Sequence, residues 1–312
     1  MKAIMYHYVR NPHKKLPHFV YLSVENFKKQ LDFFEKHFGF VRFEDFCALG
    51  ESTLHFQTLQ HKILLTFDDG FIDHYKYVLP ELKRRGLFGL FFVPTGIYER
   101  QKALDVHRIH FLLGYIGGGD LMKFARSLIK DFMLEKISEF KTITYTKQNN
   151  EIATKEFKKL FNYYIKYAFR EQVLDEIVKE FSSDDEIFME LYMSESNLAE
   201  MHKENMIIGS HSKSHFVFSK LDKDAQNSEI KDSFCFLENL LGGFKVKTFC
   251  YPYGGFHTFT NLTEDILRKE SVKFAFNVES RDIDLNDLQS RPLALPRYDC
   301  NEFAFGKASL GY

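Results

Sequence analysis

The sequence predicts an α/β fold built on a buried parallel sheet, and three observations support this prediction. A strand-like run over residues 63–66 leads directly into Asp68 and Asp69, and a second apolar run over 206–208 leads into a pair of histidines. Strand-like and helix-like segments also alternate along most of the chain. Uninterrupted apolar runs are typical of strands buried on both faces, as in parallel sheets. Such sheets and β/α barrels keep their chemistry at the carboxyl ends of the strands.

The elements follow from spacing and from signals at their ends. Ser23 is a good N-cap for the first helix, and Gly39 and Gly86 are placed to end the first two helices. The predicted strands are 3–9, 63–66, 88–93, 206–208, 248–251, 272–278 and 293–297. The predicted helices between them are 24–38, 78–85, 198–205, 228–241 and 263–270, the last capped by Thr263. Asp73 and His74 fall at a helix start, where we expect them to be solvated.

Residues 98–190 interrupt this alternation. The stretches 121–140 and 155–181 are rich in Lys, Glu, Phe and Leu at helical spacing, without strand-like runs between them. We therefore predict a helical insertion over 98–190, flanked by a β/α domain of residues 1–97 and 191–312. Insertions at the strand-end rim of a barrel commonly form the walls or lid of a pocket.

Composition excludes several classes of function. The formal net charge of −1 and the lack of a long basic run argue against nucleic-acid or membrane-surface binding. The four cysteines lack CxxC spacing, so we expect neither a disulfide framework nor a cysteine zinc site. The first residues enter a strand without the apolar segment of a secretory signal, and no stretch approaches the roughly 20 apolar residues of a membrane span. We expect a cytoplasmic protein.

Two groups of polar residues at strand ends indicate a metal site. Adjacent carboxylates such as Asp68 and Asp69 are costly unless a cation shares the site. His211 and His215, four residues apart, converge if the turn between them is helical. Two neutral imidazoles and one carboxylate are the ligand set of a catalytic zinc. By itself the histidine pair is equally consistent with two surface histidines; the aspartates at another strand end favour the metal.

These residues carry a family resemblance. The segments Thr66-Phe67-Asp68-Asp69-Gly70, His211-Ser212-Lys213-Ser214-His215 and Tyr251-Pro252-Tyr253-Gly254 resemble the first three motifs of the polysaccharide deacetylases, the NodB-type carbohydrate esterases. The opening residues 4–9 are similar to the first strand of many members. The motifs stand in the family's order, and the resemblance covers roughly residues 1–97 and 195–300.

The resemblance implies a distorted, incomplete (β/α) barrel that hydrolyses an N-acyl (acetyl or formyl) group of an amino sugar. Asp69, His211 and His215 would hold a divalent metal; we expect zinc, with cobalt, nickel and manganese as alternatives. Asp68 would be the general base, and the backbone N–H of Tyr253 would stabilise the tetrahedral oxyanion. We assign substrate binding to four further residues: His7, Pro252, Gly254 and His257.

The chain departs from the family pattern at two points. Many members begin the third motif with an arginine that orients the catalytic aspartate, whereas this chain has Cys250; Arg297 is the candidate replacement. Many members also carry a late histidine as general acid, and no histidine follows His257. His107 and His110, three apart at the start of the insertion, would face the same way on a helix and are candidate proton donors.

The substrate and two alternative functions stay open on the sequence. A cytoplasmic deacylase would act on a soluble precursor, such as a nucleotide-linked or carrier-linked amino sugar, rather than on finished polymer. A non-catalytic carbohydrate-binding relative would keep the fold and lose the base or the ligands. A metal-dependent phosphoesterase would also use carboxylates and imidazoles, but it usually needs two metals and more acidic ligands.

Overall fold

The computed structural model describes residues 1–49, 53–134 and 152–310. The chain divides into two compact units, each described here by itself. The barrel unit comprises Met1–Arg10, Leu22–Arg100 and Leu191–Ala308. The helical unit comprises Asn11–Tyr21, Gln101–Glu190 and Ser309–Tyr312.

Seven parallel strands form the sheet of the barrel unit. The strands of the chain are β1 (Lys2–Tyr6), β2 (Val9–Arg10), β3 (Val20–Ser23), β4 (Ile63–Phe67), β5 (Leu90–Val93), β6 (Ile207–Ser210), β7 (Thr248–Cys250), β8 (Phe274–Phe276), β9 (Tyr298–Asp299) and β10 (Ser309–Leu310). The sheet order is β8-β7-β6-β5-β4-β1-β9, and each neighbouring pair is parallel. The predicted α/β class with a parallel sheet is confirmed.

The apolar runs form the centre of this sheet. Every residue of β4 is buried, as is every residue of β5 and β6. Burial on both faces explains why these strands are apolar apart from Thr66 and Ser210, since both faces of the sheet in a β/α barrel are covered. Because β4, β5 and β6 are consecutive neighbours, the segments that follow β4 and β6 meet at the same edge of the sheet.

The sheet is an incomplete barrel whose edge strands are β8 and β9. Leu295 forms one parallel bridge with Phe276 of β8, and three residues later the chain enters β9, which pairs with β1. The predicted strand over 293–297 is therefore wrong in its position, because the regular strand is Tyr298–Asp299. Pro296 lacks the N–H that a continuous ladder with β8 would require. The segment thus contacts one edge of the sheet and then joins the other.

The helices of the chain are α1 (Val24–His37), α2 (Phe43–Cys47), α3 (Thr53–Leu59), α4 (Leu79–Arg85), α5 (Gly96–Arg100), α6 (Asp105–Ile116), α7 (Gly118–Leu128), α8 (Ile152–Lys159), α9 (Tyr167–Phe181), α10 (Asp184–Leu191), α11 (Glu195–Lys203), α12 (Lys223–Leu241), α13 (Asn261–Lys269) and α14 (Leu285–Ser290). Ser23 caps α1 as predicted, and its hydroxyl oxygen accepts from the Asn26 N–H at 3.1 Å. Thr260, not Thr263, is the N-cap of α13, because Thr263 is the third residue of a capping box.

The helical unit contains α6–α9 and most of α10. Arg108 is fully buried in it and lies 2.6 Å from Asp175 and 3.0 Å from Asp184. Residues 135–140 of one predicted helical stretch lie outside the described residues. None of the helices in the part of the chain that the structure describes is long and apolar enough to cross a membrane.

Candidate metal centre

The predicted ligands converge where β4 and β6 end. Asp68 and Asp69 follow β4 directly, and His211 follows β6. Asp69, His211 and His215 each offer one ligand atom, and these atoms all lie within 4.8 Å of one another. The β5 strand between β4 and β6 accounts for this convergence of residues more than 140 positions apart in sequence.

The geometry of the three residues suits a divalent metal ion. Asp69 Oδ1 lies 3.5 Å from His211 Nε2 and 3.5 Å from His215 Nε2. Four tetrahedral ligands with bonds of about 2.0–2.2 Å lie about 3.3–3.6 Å apart, which matches both distances. Two imidazoles, one carboxylate and room for water are the donors of a catalytic zinc site. The residues therefore fit the predicted metal.

The neighbouring strand orients His211. Its Nδ1 lies 2.8 Å from the carbonyl oxygen of Cys250, at the end of β7. A hydrogen bond from Nδ1–H to this carbonyl leaves Nε2 as the acceptor atom that faces Asp69. Burial lowers the pKa of His211 despite the nearby Asp68 and Asp69 carboxylates. The neutral ring, which binds metals, is thereby favoured.

Arg297 holds Asp68 in a buried ion pair. Its Nη1 donates to Oδ1 and its Nη2 donates to Oδ2, both at 2.8 Å. Arg297 is 1% exposed and Asp68 is 2% exposed. Burial by itself raises the pKa of Asp68, but the charge and hydrogen bonds of Arg297 outweigh it and the pKa is lowered. The arginine beside Asp68 thus comes from the segment before β9, while Cys250 Sγ lies 2.9 Å from Arg297 Nη2.

The loops of the site have an unusual backbone. Four non-glycine residues there adopt positive φ angles: Asp69 (78°), Ser212 (64°), His215 (56°) and Tyr253 (63°). This region of φ is uncommon for residues with a Cβ atom and costs on the order of 1–3 kcal/mol each. Strain of this kind persists where the surrounding structure imposes it, and it clusters at functional sites.

Of the other residues assigned to the barrel site, Tyr253 contacts a predicted ligand. Tyr253 is 38% exposed, and its ring centroid lies 5.0 Å from that of His215. Pro252 and Gly254 are buried, and a Cβ atom on Gly254 would lie 2.3 Å from Val278 Cγ2. His257 is exposed.

His7 lies at the end of β1 and approaches the ligands. Its Nε2 is 3.9 Å from Asp69 Oδ2, and 42% of its side chain is exposed. His107 and His110 lie on α6 of the helical unit, with ring centroids 6.2 Å apart. Their predicted role as proton donors stays a prediction.

The sequence led us to expect two buried residues near the site to be solvated, and we did not consider a third. Asp73 and His74 are buried, which corrects the expectation of solvated side chains. Asp73 accepts hydrogen bonds from Arg10, and His74 Nε2 lies 2.8 Å from the His7 carbonyl oxygen. Glu229 of α12 is also buried, and its carboxylate contacts the turn between the two histidine ligands. The sequence contains a signal for the burial of Glu229, because this residue falls at helical spacing on the apolar face of α12.

A family profile matches part of the chain. The sequence profile described as polysaccharide deacetylase matches residues 179–275, which include both predicted histidine ligands and Tyr253. The predicted relationship to the polysaccharide deacetylases is confirmed. The comparison with curated proteins gave no significant match.

Solved structures that include two deacetylases share the fold. The deacetylase PplD from Streptococcus pyogenes, in complex with acetate, aligns with a TM-score of 0.57 and 16% identity over 96% of this chain and 91% of its own. IcaB from Ammonifex degensii aligns with a TM-score of 0.53 and 18% identity over 95% of this chain and 89% of its own. BC0361, a polysaccharide deacetylase from Bacillus cereus, aligns with a TM-score of 0.54 and 13% identity over 96% of this chain and 64% of its own. At these identities the likeness establishes the fold, an incomplete (β/α) barrel.

Proposed function

We propose that this polysaccharide deacetylase relative is a metal-dependent hydrolase that removes an N-acyl group from an amino sugar. The family match supports carbohydrate de-N-acetylation as the reaction class. The observation that carries the finer proposal is the cluster of Asp69, His211 and His215 beside a second, separately held carboxylate, Asp68. This arrangement supports Asp69 as a metal ligand and Asp68 as the proton acceptor.

The three ligands would hold zinc or another divalent ion among cobalt, nickel and manganese. Such an ion supplies Lewis-acid polarisation of the amide carbonyl and lowers the pKa of a water molecule. Asp68 then accepts the proton of the attacking water. A carboxylate has about four lone-pair sites, so the two hydrogen bonds from Arg297 leave acceptor capacity on Asp68.

The remaining steps need an oxyanion donor and an acid. By the family resemblance, the backbone N–H of Tyr253 donates to the developing oxyanion. We assign proton donation to the leaving amine to His7, because its imidazole is half-exposed and lies 3.9 Å from Asp69. His107 and His110 are the alternative donors that the sequence predicts.

The test measures metal content and product release in the same variants. Asp69→Ala, His211→Ala and His215→Ala should each lose the metal and the activity while the fold survives. Asp68→Asn should retain about one metal ion per chain and lose ~10²–10⁴-fold in turnover, the usual scale of general-base catalysis. Full metal occupancy in the double variant His211→Ala/His215→Ala, or near-wild-type turnover in Asp68→Asn, would refute the proposal.

The substrate is proposed as an N-acylated amino sugar attached to a nucleotide or a carrier. Acetate, formate and phosphate release should be followed with soluble sugar nucleotides and with chitin or peptidoglycan. Acetate or formate release from the soluble substrates is the expected result. A clear preference for polymer would overturn the precursor assignment, and phosphate release would indicate a phosphoesterase.

A further inference from the structure

The turn that carries both histidine ligands contacts a buried carboxylate from α12. The N–H groups of Lys213 and Ser214, between His211 and His215, donate to Glu229 Oε2 at 3.1 and 2.7 Å. Glu229 is 7% exposed. Hydrogen bonds from N–H groups to a carboxylate are stronger than those between neutral groups. One side chain therefore binds two consecutive peptide groups of the metal-binding turn. The Lys213 N–H also donates to the Glu229 carbonyl oxygen at 3.1 Å, so the Ser214 N–H is the group that depends on the side chain alone.

This turn has an unusual backbone conformation. Ser212 has a φ of 64° and His215 has a φ of 56°, in the left-handed region that residues with a Cβ atom rarely adopt. Two local hydrogen bonds support it, because the N–H groups of Ser212 and His215 donate to the hydroxyl oxygens of Ser210 and Ser212 at 3.1 and 3.0 Å. The direction of the His215 side chain relative to His211 depends on these dihedral angles. External contacts add to the local hydrogen bonds in holding both imidazoles toward Asp69.

The structure shows such contacts on two sides of the turn. The N–H groups of Thr95 and Gly96, after β5, donate to the carbonyl oxygens of Ser212 and Lys213 at 3.1 and 2.8 Å. Glu229 binds the N–H groups on the α12 side. On the same helix, the Ser233 hydroxyl contacts the hydroxyl of Ser210, the last residue of β6. The turn is thus held between the connection after β5 and the buried face of α12.

We propose that Glu229 is a positioning residue for the metal centre, an inference that rests on the proposed metal-binding function. Glu229 contacts the backbone between the ligands and holds the turn so that His211 and His215 bind the same ion. Groups that orient metal ligands typically contribute ~10–100-fold to metal affinity. Loss of Glu229 should therefore weaken metal binding while the three ligand side chains remain present.

The test compares zinc affinity in Glu229→Ala, Glu229→Gln and Asp232→Asn by competition with a chromophoric chelator. Glu229→Ala should weaken zinc binding by ~10–100-fold. Glu229→Gln should weaken it by a smaller factor, at least ~3-fold, because an amide oxygen still accepts a hydrogen bond but the charge is lost. Asp232 is the matched control, since it lies on the same helix and binds the exposed Lys213 Nζ at 3.2 Å. Its variant should bind zinc within ~2-fold of wild type.

A second measurement separates this inference from the proposed function. In metal-free protein, the side-chain NMR signals of His211 and His215 should shift or broaden in Glu229→Ala and Glu229→Gln and stay unchanged in Asp232→Asn. Wild-type zinc affinity and unchanged histidine signals in both Glu229 variants, with a native circular dichroism spectrum, would overturn the positioning role. A wild-type chain that binds no zinc would refute the metal function, and the histidine signals would still decide the role of Glu229.

Discussion

Replacing Arg297 with methionine should destabilise the barrel unit strongly. The substitution keeps an unbranched side chain in a buried position and removes the charge that faces Asp68. Asp68 is 2% exposed, so its carboxylate would lose its cationic partner without gaining water. A buried ionised group in this situation is one of the costliest results of a single substitution.

The expected magnitude follows from the contacts. Arg297 makes two hydrogen bonds to Asp68 at 2.8 Å, each worth about 1.5–3 kcal/mol for a charged pair. Breaking a buried ion pair by removing one partner costs about 3–5 kcal/mol, which agrees. Because Arg297 lowers the pKa of Asp68 below 3.8, the pair contributes fully at pH 7 and loses its contribution as the pH falls through that lowered pKa.

The assay is urea unfolding of metal-free protein at pH 7 for Arg297→Met, Asp68→Asn and the double variant. The double variant should recover about 2 kcal/mol or more relative to Arg297→Met, because it no longer buries an unpaired charge. Arg268→Met is the control: Arg268 pairs with Asp265 at 2.5 Å, but the two side chains are 64% and 59% exposed, so the cost should be at most about 1 kcal/mol. If Arg297→Met costs no more than Arg268→Met, the reasoning is wrong.

The identity of the proton donor and the acid stability of the fold give two further predictions. His7→Gln should lower turnover by ~10²-fold and alter the alkaline limb of the pH–rate profile, with metal content unchanged; if His107→Gln or His110→Gln does this instead, the helical unit supplies the acid. The hydrogen bond from Arg84, against the opposing effect of burial, lowers the pKa of Glu81 from 4.5 to about 2. Glu81 therefore contributes stability above pH 4.5 that is lost as the pH falls toward 2. In thermal unfolding, Glu81→Gln should be about 1–2 kcal/mol less stable than wild type at pH 7, and the exposure of Arg84 keeps this value small. Near pH 2 the two proteins should be equally stable. A stability difference that does not depend on pH would contradict this prediction.

The sequence predicted the candidate site best where charged or metal-binding side chains directly follow an apolar strand. Asp68 and Asp69 after an apolar strand predicted a strand end with a functional site, because two adjacent carboxylates are costly unless a cation shares the site. The histidine pair after β6 could be interpreted as metal ligands only because the two aspartates end another strand. The structure brings these residues together through β5, whose apolar sequence also predicted a buried strand.

Residues that act through the backbone were harder to predict. Glu229 occupies the core-facing side of α12 together with Gln226 and Ser233, so three polar residues interrupt an otherwise apolar face. Helical spacing alone cannot say whether such residues are solvated or hydrogen-bonded to a turn more than ten residues away. Asp73 and His74 were misjudged for the same reason, since their partners lie in the segment after β1.

The position of β1 in the sheet has a consequence for synthesis of the protein. This first strand lies between β4 and β9, and Arg297 follows Asp68 by 229 residues. During synthesis the N-terminal segments leave the ribosome first, so β1 and β4 are available long before Arg297. Until the segment before β9 arrives, one edge of β1 is unpaired and Asp68 has no buried cation. The end of the barrel that carries the candidate site is therefore completed last, and a nascent chain without this segment depends on solvation or a chaperone to protect the exposed edge.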